Sequence, residues 1–155
     1  LNALPLKANH KYVTKRAAYN TNSSGQVTKV QIKQLEKDPN FDYNQYRNQH
    51  QQKKSLNVKG GNKQGPDPDQ GGHLLGTQFG GAGEQINLVP MKKSLNQSGG
   101  DWYNMEQLWA TKIQNGITIT DLEIEVIYGP SGRPTKFVVK WKEDGIAIAP
   151  IEHLN

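Results

Sequence analysis

Asp67-Pro68-Asp69-Gln70-Gly71-Gly72-His73 closes a segment dense in Gly, Pro, Asp and Lys, and delivers a histidine from a turn to the entry of a strand. From Asn57 to Gly72 this composition resists any regular element, so a loop is expected there, placed to serve an active site. Histidine is the side chain whose ordinary pKa lies nearest neutrality, and one oriented by a neighbouring carbonyl can take a proton from water. The paired glycines let backbone or phosphate approach closely. A lone histidine after a turn is more often an ordinary surface residue, so the weight falls on the residues beyond it. His73-Leu74-Leu75 and Gln85-Ile86-Asn87-Leu88-Val89 are short apolar pieces joined through Gly76, Gly80, Gly81 and Gly83, a pattern that predicts strands from His73 onward and from Ile86 onward with a mobile connection.

Further along, periodicity is the stronger signal. From Asp101 the apolar spacing turns helical: Trp102, Met105, Trp109 and Ile113 fall on one stripe, while Asn104, Gln107, Thr111 and Gln114 lie elsewhere. Asp101 is placed to cap this helix and Gly116 to stop it. Leu122, Ile124 and Val126 then alternate with acids, and Phe137, Val139 and Trp141 alternate with Lys136, Val138 and Lys140. Gly129-Pro130-Ser131-Gly132-Arg133-Pro134 joins the two runs as a hairpin over about residues 117–142. Toward the N-terminus, Tyr12 to Ile32 reads as a second hairpin, broken at Asn20-Thr21-Asn22-Ser23-Ser24-Gly25. The stretch through Tyr43, Tyr46, Arg47 and Gln49 to Lys54 is polar with thin apolar spacing and has room for a short helix.

A chain of 155 residues fits one domain, 1–155, and leaves too little for two ordinary ones. With no cysteine there is no disulfide framework, thiolate zinc site or thiol nucleophile, so any metal is a hard cation on oxygen or imidazole ligands. No apolar run approaches the ~20 residues that span a bilayer, and the start lacks a signal peptide's pattern. Beginning at Leu1, the chain reads as a fragment or mature piece of something longer. The net charge of +5 hides an asymmetry: residues 1–65 carry 12 Lys and Arg against 3 acids, residues 66–155 carry 7 against 11. A basic half of this kind suits a polyanion, with Lys53, Lys54, Lys59 and Lys63 expected to meet phosphates; a merely solvated face has the same composition.

Two further features converge with His73. Asn87-Leu88-Val89-Pro90 and Ser94-Leu95-Asn96-Gln97 are unusually rich in amides, and an asparagine carbonyl is a neutral hard ligand that suits Mg²⁺. Glu106 lies four residues after Trp102 and three before Trp109, at the margin of the buried stripe, where a carboxylate wants a partner. The same residues also suit plain structural work, Asn87 tying a loop, Asn96 starting a turn and Glu106 reaching solvent.

Taken together, Asp69-Gln70-Gly71-Gly72-His73-Leu74, Gly76-Thr77-Gln78-Phe79-Gly80-Gly81, Asn87-Leu88-Val89-Pro90-Met91, Leu95-Asn96 and Met105-Glu106 resemble the DNA/RNA non-specific endonucleases with a ββα-metal active site. The resemblance is nearest the C-terminal nuclease domains of LXG-type, type VII-secreted polymorphic toxins of Gram-positive bacteria. It implies an α+β fold with a central antiparallel sheet, and a ββα-metal core at about residues 67–115 that follows the basic part, 1–65. It also implies one Mg²⁺ or another divalent cation held by Asn96, His73 deprotonating the attacking water, Glu106 touching a metal-bound water and Asn87 supporting the site. Where better-known members have Asp-Arg-Gly-His, this chain has Gln70 and an extra glycine. The substrate contacts implied are therefore Gln70 with a cation from elsewhere, Arg47 or Lys63. Further implications are DNA, with RNA as a second substrate, a cognate immunity protein as partner, and secretion followed by action in a target cell's cytoplasm.

Two other classes remain open on the sequence. A catalytically silent nucleic-acid-binding module accounts for the basic half, and a protein-interaction or immunity partner for the acidic half. Binding alone does not require a histidine, an amide ligand and a glycine-rich loop in this order.

Overall fold

The computed structural model describes residues 1–42 and 48–155; Tyr43, Tyr46 and the substrate candidate Arg47 lie outside the described residues. The fold is α+β and its strand pairs are antiparallel. Strands β1 (Lys11–Val13), β2 (Ala18–Thr21), β3 (Val27–Leu35), β6 (Ile119–Tyr128), β7 (Pro134–Glu143) and β8 (Ile146–Ala147) form one sheet in the order β1-β2-β3-β6-β7-β8, and β9 (Ile151–Leu154) pairs β7 beside β8. A separate two-stranded hairpin, β4 (Asp69–His73) with β5 (Leu88–Lys92), carries the motif histidine at its tip. Among the described residues three α-helices accompany the strands: α1 (Gln49–Val58), the single turn α2 (Lys93–Asn96) and α3 (Asp101–Gln114).

The two expected hairpins form for local reasons. Between β2 and β3 the Asn22 side chain accepts from the Ser24 and Gln26 amides, both at 3.0 Å, which closes the turn. In β6 and β7 the alternation sets the register, with Ile124 opposite Val139 and Val126 opposite Phe137. These residues are buried, while Lys29 and Lys140 bracket Glu123 at 2.8 and 2.9 Å on the solvated face. Helix α3 lays Trp102, Met105 and Trp109 onto the inner face of the sheet; the Trp102 ring meets Phe137 and the Trp109 ring meets Trp141, with centroids 5.1 and 5.3 Å apart. Each such side chain contributes on the order of 2–3 kcal/mol by leaving water, so this contact anchors the helix that flanks the site.

The structure moves several expected boundaries. The loop expected over residues 57–72 is shorter at both ends, since α1 runs to Val58 and β4 begins at Asp69. Gly71 is in a strand because α1 crosses directly over it: a Cβ there would lie 2.5 Å from the Gln52 carbonyl oxygen. Tertiary contact, and not local propensity, makes this segment extended. His73 consequently ends a strand instead of starting one, and Gln85–Asn87 is a 3-10 turn leading into β5 at Leu88. The connection expected to be mobile is packed down, with Leu74, Leu75, Phe79 and Ile86 all buried. Asp101 is the first helical residue and not the cap; Gly100 holds the cap position, and the Asp101 carboxylate instead sits in the first turn, at the positive end of the helix. Gly116 ends the helix as expected, at φ +84°.

Lys59, expected among the phosphate-facing lysines, turns inward and donates to the buried carbonyls of Gln85 and Leu88, fastening α1 to β5. Burial lowers its pKa to about 8 from the ordinary 10.5. Between those values the unfolded chain holds more protons than the folded one, so the stability contributed by this group rises with pH across that window. Lys59→Met leaves the buried Leu88 carbonyl without a donor and the Gln85 carbonyl with only the Leu88 amide, and should cost roughly 1–3 kcal/mol in urea unfolding. The gap from the parent should widen between about pH 8 and pH 10. Parallel stability curves for the two proteins would remove Lys59 from this role.

Candidate active site

A polar cavity of about 710 Å³ opens where β4, α1, the segment after α2 and the flank of α3 meet, and His73, Asn96, Glu106 and Gln70 line it together. Each arrives by a different route. His73 stands at the end of β4, where the next residue, Leu74, donates its amide to the Asn87 carbonyl at 2.9 Å. Asn96 is the last residue of α2, whose start is fixed by Asp67 accepting from the Ser94 amide at 2.8 Å and from the Ser94 hydroxyl at 2.5 Å. These same bonds hold the Asp67 carboxyl below its usual range. Buried Leu95 fixes the other face of the turn. Tyr103, Glu106 and Gln107 share the flank of α3 next to its tryptophan stripe, so the anchor on the sheet also aims Glu106.

Glu106 is the electrostatic outlier. Burial pushes its pKa up to about 8, and no cation among the described residues pairs with it. Its carboxylate lies so close to the connection that a Cβ on Gly76 would sit 2.0 Å from Oε2, which explains the glycine there. A desolvated carboxylate without a counter-ion, facing the same cavity as an imidazole and an amide oxygen, is a donor set that fits a hard divalent cation. Among the described residues no group of three or more His, Cys, Asp or Glu gathers for a metal.

Asn87 is placed behind the site. It is completely buried; its Oδ1 accepts from the Leu75 amide at 2.9 Å and the Tyr19 hydroxyl at 3.1 Å, and its Nδ2 donates to the carbonyls of Leu75 and Ala82 at 2.8 and 2.9 Å. With both amide ends engaged, it ties the β4–β5 connection to β2 and does not line the cavity. Lys63 does not line it either; it is exposed and hydrogen-bonded to the Asn57 side chain. Among the described residues Lys53, on α1, is the only lysine or arginine in the lining.

The motif's first residue, Asp69, does structural work that a linear reading missed. Its buried carboxylate takes a two-pronged contact from Arg133, Nε to Oδ2 at 2.7 Å and Nη2 to Oδ1 at 2.6 Å, and accepts from the Asn62 amide at 2.7 Å. Arg133 also donates to the Pro134 and Asn155 carbonyls, so the β6–β7 turn is pinned to the base of the site hairpin. The only signal for this in the sequence was an arginine inside a turn.

A family model described as DNA/RNA non-specific endonuclease matches residues 8–145. The chain is also 36% identical over 146 residues, 90% of its length, to type VII secretion system protein EssD of Staphylococcus aureus strains USA300 and NCTC 8325. It spans 22% of the length of these curated relatives.

Proposed function

The chain belongs to the DNA/RNA non-specific endonuclease family, and on that premise we propose that it cuts phosphodiester bonds in this cavity, with His73 as general base and a divalent cation, Mg²⁺ first, held by Asn96. The observation that carries the reading is the convergence of His73, Asn96 and Glu106, from three separate elements, on one cavity. When bound, the cation offsets charge developing on the phosphate and on the leaving 3′ oxygen. His73 takes the proton from the attacking water, held in place by the strand end and by Asn87 behind it. Glu106 supplies the carboxylate that the cation neutralises, and Tyr103 and Gln107 close the same wall. Lys53 replaces Lys63 as the phosphate contact, since it is exposed at the cavity and has no ion-pair partner among the described residues. DNA is the substrate proposed, with RNA as the alternative.

The relatives are named as type VII secretion system proteins, and the chain covers a small share of their length. Within such a protein this chain acts as the nuclease part of a secreted antibacterial toxin, working in the cytoplasm of a target cell and countered in the producer by a cognate immunity protein. No helix among the described residues is long and apolar enough to cross a membrane.

Plasmid DNA tests the chemistry directly. The purified domain should nick and linearise it with Mg²⁺ and stop on addition of EDTA; a shifted but intact plasmid under both conditions would leave only a binding module. Binding measured across salt concentrations should weaken steeply, and Lys53→Ala should lower the salt slope by about one, as expected when one phosphate contact is lost. An unchanged slope would place Lys53 outside the substrate path.

A further inference from the structure

An asparagine is an ambiguous ligand, because its carboxamide presents an acceptor at one end and two donors at the other. A cation needs the oxygen, so a metal-binding asparagine works only if something else fixes which end faces the site. In this chain Asn96 Nδ2 donates to Gln70 Oε1 at 3.0 Å, a partly buried contact between the end of α2 and the second residue of β4. Asn96 Oδ1 has no hydrogen-bond partner among the described residues. Both side chains line the cavity.

We propose that Gln70 is a positioning residue for Asn96: by accepting from Nδ2 it selects the amide orientation that turns Oδ1 into the cavity as a fixed hard donor. The inference rests on the reading of Asn96 as the cation's ligand. It gives Gln70 a different task from the substrate contact expected of it, and leaves its own Nε2 as a neutral donor on the cavity wall. Both anchors of the contact are rigid. Asn96 is held by Asp67 through Ser94, and Gln70 is held by the pairing of β4 with β5, in which it stands opposite Met91. The side chain at position 70 therefore meets Asn96 without either backbone moving.

The contact makes an acceptor, and not a glutamine as such, the requirement at position 70. Mn²⁺ binding to the nucleic-acid-free protein, followed by loss of the free-ion EPR signal, reads this without activity. Gln70→Met keeps the length but removes the acceptor, and should weaken Mn²⁺ binding about 10- to 100-fold, the usual effect of losing a partner that orients a metal ligand. Gln70→Glu restores an acceptor and should bind within a few-fold of the parent or tighter. Combining Gln70→Glu with Asn96→Ala should abolish that recovery, because the glutamate acts through Asn96. Parent-like binding by Gln70→Met, a Gln70→Glu variant as weak as Gln70→Met, or strong binding by the double variant would each overturn the role of Gln70. Parent-like binding by Asn96→Ala alone, or no binding by the parent, would overturn the ligand reading beneath it.

Discussion

His73→Ala should lose about 10²- to 10⁴-fold in cleavage rate while folding and binding DNA much as the parent does. The separation of effects comes from where the residue sits. His73 is only half-buried and ends its strand, so truncation leaves a space open to the cavity and no void in the packed core. The aromatic contacts of α3 with the sheet and the Asp69–Arg133 pair lie elsewhere. Affinity for a polyanion comes from charge, expected here chiefly from the basic half of the chain, and an imidazole adds little to it. A proton acceptor for water contributes only as the reaction proceeds, so its loss falls on turnover. Single-turnover cleavage of plasmid, gel-shift affinity and thermal melting measured on one preparation separate the three quantities. Parent-like turnover in His73→Ala would end the assignment of the base, and a matching loss of stability would recast the residue as part of the scaffold.

The parts of this fold that were legible in the sequence are those whose stability is written locally. The alternation in Leu122, Ile124 and Val126 and in Phe137, Val139 and Trp141 survives because one face of that sheet is buried and the other carries charge. The helical stripe of Trp102, Met105 and Trp109 survives for the same reason at a different period. What failed was set by distant chain. Gly71 and Gly72 read as loop residues, yet α1 and Met91 press on them closely enough that only glycine fits a strand there. Lys59 read as one more basic residue until the Gln85 and Leu88 carbonyls claimed it.

The site divides along the same line. His73, Asn96 and Glu106 could be named as candidates because the motif keeps them in order along the chain, and the structure brings all three to one cavity. Lys53, the Asn96–Gln70 contact and the Arg133 clamp depend on which surfaces meet, and no spacing announces that. Charge composition put Lys53 among four lysines expected at phosphates, but did not single it out from Lys54, Lys59 and Lys63 as the one that lines the cavity.

The two asparagines give the sharpest test of how the site is divided between ligand and scaffold. Asn96→Ala removes the amide oxygen proposed to hold the cation, and should raise the Mg²⁺ concentration needed for half-maximal cleavage by at least about tenfold, or leave the site unable to hold the ion. Asn87→Ala should behave differently. It empties a fully buried position and strands the Leu75 amide, the Tyr19 hydroxyl and two carbonyls without partners, at a cost of roughly 1–3 kcal/mol for each group left unsatisfied. The expected result is a marked fall in melting temperature and reduced cleavage at every Mg²⁺ concentration, with the half-maximal point little moved, because the loosened connection lets His73 drift without touching the ligand. Magnesium titrations of the two variants, run below the melting temperature of the weaker one, distinguish a displaced curve from a lowered one. A normal Mg²⁺ dependence in Asn96→Ala would show that the cation is held by other groups in the cavity, with Glu106 the next to examine. A displaced curve in Asn87→Ala would mean that the brace behind His73 also sets the geometry of the ligand, which its hydrogen bonds to the connection and to β2 give no reason to expect.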